Sequence, residues 1–90
     1  MTKLDEVKNY SYQFFDSSIT KVWEQVKQVA KEGKLDLEVK IKGDTEDDKA
    51  ENSALYSYFR DQCFGCAFGQ HEDGTNYLKI SWKKTEYTFT

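Results

Sequence analysis

The chain has no proline and only five glycines among its 90 residues, which leaves no linker and no low-complexity segment. No apolar run approaches the roughly 20 residues that a membrane helix needs. Charges stand near the N-terminus where a secretory leader would need apolar residues, so a cytoplasmic protein is expected. The two cysteines are too few for a disulfide framework and suit a reducing compartment. With one histidine, no glycine-rich phosphate loop and no strand-bounded nucleophile turn, the chain lacks the usual parts of an active site. It is read as a non-enzyme without a cofactor.

Apolar residues are also scarce at 38%, yet 16% of the chain is aromatic. Six Phe, six Tyr and two Trp can each bury on the order of 150 to 250 Å², so a few large side chains can build one core. Residues 1–90 are therefore read as a single domain.

The local patterns predict a small α+β fold. Tyr10, Tyr12 and Phe14 alternate with Ser11 and Gln13 and predict a first strand. A helix starting at Thr2 and using Leu4, Val7, Phe14 and Phe15 is the competing reading. Asp16, Ser17 and Ser18 supply a turn and a helix cap. Ile19, Val22, Trp23, Val26, Val29 and Ala30 recur every three or four residues and predict a helix from Ile19 to Glu32, stopped by Gly33. Strict alternation of Leu35, Leu37, Val39 and Ile41 with Asp36, Glu38, Lys40 and Lys42 predicts a strand with one wet face. Thr45 is placed to cap a second helix running through Leu55, Tyr58, Phe59, Gln62 and Cys63 and ended by Gly65. A hairpin turned at Asp73-Gly74 follows, with Cys66 to Phe68 in one arm and Leu78, Ile80 and Trp82 in the other. Tyr87 and Phe89 suggest a last strand or tail. The expected order is β-α-β-α-β-β, a mostly antiparallel sheet with two helices on one face.

The net charge is only −3, but Asp44, Glu46, Asp47, Asp48 and Glu51 fall within eight residues and are offset by Lys49 alone. Such a field repels phosphate backbones and attracts basic surfaces, so direct nucleic-acid binding is disfavoured and a basic protein partner favoured. Tyr56 and Arg60, residue types common at binding hot spots, lie further along the same helix with Ser57. Asp36 and Glu38 share a strand face with Lys40 and read as a salt-bridged surface.

Cys63, Cys66 and His71 have the Cys-x2-Cys-x4-His spacing of a retroviral-type zinc knuckle, and Phe64 stands where such knuckles carry an aromatic. The resemblance spans about fourteen residues and implies a zinc-dependent nucleic-acid binder. Its fourth ligand position is occupied by Asn76, which does not ligate zinc. A thiol-redox reading places the pair at a helix C-terminus, the end that disfavours thiolate.

In size, acidity, aromatic richness and lack of catalytic groups, the chain is similar to the small inhibitors that phages encode against host defence nucleases, the anti-CRISPR and anti-restriction proteins. That similarity of type implies an inhibitor that blocks a basic, nucleic-acid-handling site. An immunity protein or antitoxin that neutralises a nuclease toxin is the alternative of the same physical kind.

Overall fold

A computed structural model describes residues 2–83. The expected strand or tail at Tyr87 and Phe89 lies outside them. The elements are α1 (Lys3–Phe14), α2 (Asp16–Lys31), β1 (Asp36–Ile41), α3 (Glu46–Asp61), β2 (Gly65–Gln70) and β3 (Asn76–Ser81). The class is the expected α+β, with three helices and a three-stranded antiparallel sheet ordered β1-β3-β2.

The first element is the helix from Thr2 that competed with the expected strand, and Tyr10, Tyr12 and Phe14 lie in α1. Three alternating aromatics are too short a window to fix a period, and the start of the chain holds a stronger signal. Thr2 Oγ1 accepts the Asp5 N–H at 3.1 Å, and the Asp5 carboxylate accepts the Thr2 N–H at 3.4 Å, a reciprocal cap. Inward contact then follows helical spacing through Tyr12 and Phe15. The expected turn at Asp16, Ser17 and Ser18 is also replaced by helix, and Phe15 alone (φ −101°, ψ 22°) separates α1 from α2 without a side-chain cap.

α2 buries Ile19, Val22 and Val26, whereas Trp23 remains 40% exposed at the margin of that stripe. It meets Phe64 edge-on at 6.2 Å. Gly33, at φ 86°, takes the left-handed position that ends α2. Its N–H bonds Ala30 and that of Lys34 bonds Val29.

α3 ends in the same motif, with the Cys63 N–H on Arg60 and the Phe64 N–H on Phe59. Here the left-handed residue is Cys63, at φ 72°. The expected stop at Gly65 is corrected, since Gly65 opens β2. A Cβ at residue 65 would meet Ser81 Oγ at 2.8 Å, a contact that a turn of the Ser81 hydroxyl relieves.

Antiparallel register sets Leu37, Ile80 and Cys66 side by side, then Val39, Leu78 and Phe68. These rows face the helices, with α2 on β1 and α3 on β2 and β3. Phe59, Leu78 and Ile80 are completely buried at their centre. α1 packs on α2 and α3. Leu35, expected inward, is 52% exposed because β1 begins after it. Alternation sends Asp36, Glu38, Lys40, Tyr77, Lys79, Gly65, Ala67 and Gly69 to the opposite face. Tyr77 lies across Gly69, where any Cβ would come within 2.4 Å of its ring.

Candidate functional site

The acidic segment is built on the start of α3. Thr45 is extended (φ −122°, ψ 165°), and its Oγ1 accepts the Asp48 N–H at 3.0 Å. This fixes the first turn, so Glu46, Asp47 and Asp48 sit at the positive end of the helix dipole, each worth about 0.3 to 1 kcal/mol to the helix at most. Asp44, Glu46 and Asp47 are exposed and Asp48 is half-buried. Lys49 lies 3.7 Å from Glu46, whose side chain is 92% exposed.

Glu51 has a different job. Its carboxylate accepts a short hydrogen bond from the Ser18 hydroxyl and ties α3 to α2. A groove of about 440 Å³ between α2, β1 and α3 is lined by three carboxylates, Glu38, Asp48 and Glu51, and three lysines, Lys21, Lys40 and Lys42. The negative field is thus balanced on that flank and strongest at Asp44, Glu46 and Asp47.

Tyr56 and Arg60 do not join the acidic group. They lie roughly 12 to 21 Å further along α3, at 1.5 Å per residue, and turn toward β2. Tyr56 stacks on Phe68 with ring centroids 5.0 Å apart and planes 16° from parallel. Arg60 Nη1 donates to Tyr56 Oη at 3.1 Å, and its guanidinium carbon lies 5.6 Å from the Tyr56 ring centre. These contacts brace the outer margin of the sheet.

The third sequence constellation is dispersed. Cys63 is exposed in the loop after α3, Cys66 lies in β2, and His71 follows the far end of that strand. Five extended steps along the chain separate Cys66 from His71, about 16 Å, beyond what one zinc ion at ~2.0 to 2.3 Å from each ligand can bridge. His71 Nε2 instead lies 3.0 Å from Glu38 Oε1, and its ring is 4.6 Å from that of Tyr77. Among the described residues no three His, Cys, Asp or Glu side chains gather around a common point.

Perturbed titrating groups have structural causes. Burial, reinforced by the hydrogen bond to Asp61 and its charge, raises the Tyr12 phenol well above its ordinary value and keeps it a proton donor. The Asp61 carboxylate also meets Lys8 at 3.5 Å, so the group locks α1 onto α3. Burial likewise pushes the Cys66 thiol up, with Arg60 opposing, which favours the protonated form and slows its reactions. Asp73 is held below the usual carboxylate range, chiefly by the Thr75 backbone N–H, which it accepts at 2.9 Å in the hairpin turn.

Two surfaces escape a reading by residue type. Leu4, Val7, Tyr10 and Phe14 on α1 are 59 to 81% exposed, and Phe68 on β2 is 51% exposed. Their exposure follows from what the tertiary fold leaves uncovered, which periodicity alone does not carry. No helix among the described residues is long and apolar enough to cross a membrane. A scan of family models gives no match, and neither curated proteins nor solved structures match the chain.

Proposed function

We propose that this chain is a small acidic protein-binding module of the cytoplasm that inhibits by occupying a basic, nucleic-acid-handling site on another protein. The observation that carries the reading is the exposed carboxylate group of Asp44, Glu46 and Asp47, with half-buried Asp48 beside it, on a helix start fixed by the Thr45 cap, where Lys49 pairs with Glu46. The capped helix start presents these carboxylates from a fixed backbone, and they steer a basic surface from about the screening length of ~8 Å at physiological salt. Host defence nucleases of the kind phages must block offer such surfaces, and so do nuclease toxins. Tyr56 and Arg60 belong to the module's own sheet margin, so the contact set narrows to Asp44, Glu46, Asp47 and Asp48.

The test is capture on the immobilised protein at low and high salt, beside a column carrying Glu46→Gln, Asp47→Asn and Asp48→Asn. The expected result is a nucleic-acid-handling protein retained by the wild type at low salt, released by salt and lost from the triple amide. Equal retention on both columns would contradict the proposal.

A further inference from the structure

β2 is an edge strand whose outer side no described strand pairs. Proteins guard such edges with charge, proline or cover. The other edge strand, β1, carries Asp36, Glu38 and Lys40, whereas Gly65–Gln70 has no charged residue and no proline.

Hydrogen bonding fixes which backbone groups of β2 are left. The His71 N–H donates to the Thr75 carbonyl at 2.9 Å, so His71 points its main chain at β3. Alternation along an antiparallel ladder gives Gly69, Ala67 and Gly65 the same direction and turns the N–H and C=O groups of Cys66, Phe68 and Gln70 outward. That set is symmetric about Phe68. A two-fold axis at Phe68 would pair Phe68 with Phe68 of the second copy, and Cys66 with Gln70 in both directions, forming about six backbone hydrogen bonds.

Side chains agree with that register. On the helix face, Phe68 is half exposed and already stacked on Tyr56, so two copies would join their aromatic pairs. On the other face, Ala67 would oppose Gly69 of the second copy, and its methyl would lie beside the Tyr77 ring that covers Gly69. A strand with no charge offers a charged partner nothing to pair with, while self-pairing asks for no charge.

We propose that β2 is the pairing edge of a two-fold symmetric homodimer, in which the Gly65–Gln70 strands of two copies run antiparallel with Phe68 at the axis and close a continuous six-stranded sheet. The dimer is independent of the acidic surface on α3.

Sedimentation of the full chain tests this, with a species of twice 10.6 kDa expected as concentration rises. Ala67→Glu puts like charges on either side of the axis and should weaken dimerisation by about tenfold or more. Phe68→Pro removes an N–H that the monomer leaves outward, so it should give a monomer with wild-type circular dichroism. A half-labelled wild-type sample should show an intermolecular contact between the Hα protons of Ala67 and Gly69, which decides the matter if either variant fails to fold. A wild type that stays monomeric overturns the proposal, and a monomer with a protected Phe68 amide would hand the edge to residues 84–90. A dimer that survives both substitutions, or that Phe14→Asp alone dissolves, also overturns it.

Discussion

Replacing Phe59 by Ala and, separately, Trp23 by Ala sets the two largest expectations about the core against each other. Phe59 is completely buried and meets Tyr58 and Phe64 edge-on at 5.2 and 5.5 Å. Its truncation leaves a sealed cavity and should cost about 3 to 5 kcal/mol. A chain of this length is stable by roughly 5 to 13 kcal/mol at 0.05 to 0.15 kcal/mol per residue, so the loss is a large share of the whole. Trp23 is 40% exposed, so truncation uncovers only about 110 Å² beyond what Ala retains, worth ~2.7 kcal/mol at 25 cal/mol/Å². The residual compactness of unfolded chains lowers that to about 2 kcal/mol, and water fills the open gap. Urea unfolding followed by circular dichroism measures both. With a slope near 1.2 kcal/mol/M, the midpoint should fall by about 2.5 to 4 M for Phe59→Ala and about 1.7 M for Trp23→Ala. A Trp23→Ala variant that is destabilised as much as Phe59→Ala would refute the packing described for α2.

Cys63→Gly should stabilise the fold by about 0.5 to 1 kcal/mol in the same urea assay, because a left-handed φ of 72° strains any residue with a Cβ and glycine's larger unfolded entropy offsets only part of the gain. A thiol reagent at mildly alkaline pH should modify exposed Cys63 first, and Cys63→Ser should leave a slowly reacting protein, since burial raises the Cys66 thiol. The Asp73 carboxyl should titrate below 3.8 by NMR. Its folded value lies below its unfolded one, so its contribution to stability is present above pH ~4 and disappears as pH falls through the folded value; Asp73→Asn should remove that part of the acid response.

Much of the fold was legible because several elements carry redundant signals. α3 has the Thr45 cap, the acidic first turn and the spacing of Leu55 and Phe59, all pointing one way. β1 alternates strictly, and Asp73-Gly74 makes the hairpin turn with Gly74 at φ 90°. α1 was misread because Tyr10, Tyr12 and Phe14 fit a strand over three positions, while the deciding cap at Thr2 lies eight residues earlier and uses Asp5 where Glu or Gln is usual. Gly65 drew the end of α3 because glycine is the usual left-handed residue, and nothing local marks Cys63 for that role. Trp23 belongs to the α2 stripe by spacing, but how far the neighbouring aromatics cover it is settled by tertiary packing with Phe64.

The acidic residues were legible as a cluster, while their division of labour was not. Sequence spacing could not foresee that Ser18, more than thirty residues away, would engage Glu51. Nor could it show that Tyr56 and Arg60 would turn toward Phe68 and away from the carboxylates. Chain distance likewise hid the separation of His71 from the cysteines, because a knuckle needs a tight loop where this chain runs an extended strand.

The role of the α3 start in binding is tested by one rate measurement, the association of the captured partner with the wild type and with Glu46→Gln, Asp47→Asn, Asp48→Asn at low salt, with Asp36→Asn, Glu38→Gln on the open sheet face as the control. The amides preserve shape and remove three charges, so the triple variant should associate far more slowly than both the wild type and the control, with the difference shrinking as added salt shortens the screening length toward ~3 Å near 1 M. Equal association rates for wild type and triple amide at low salt would contradict the role assigned to the start of α3.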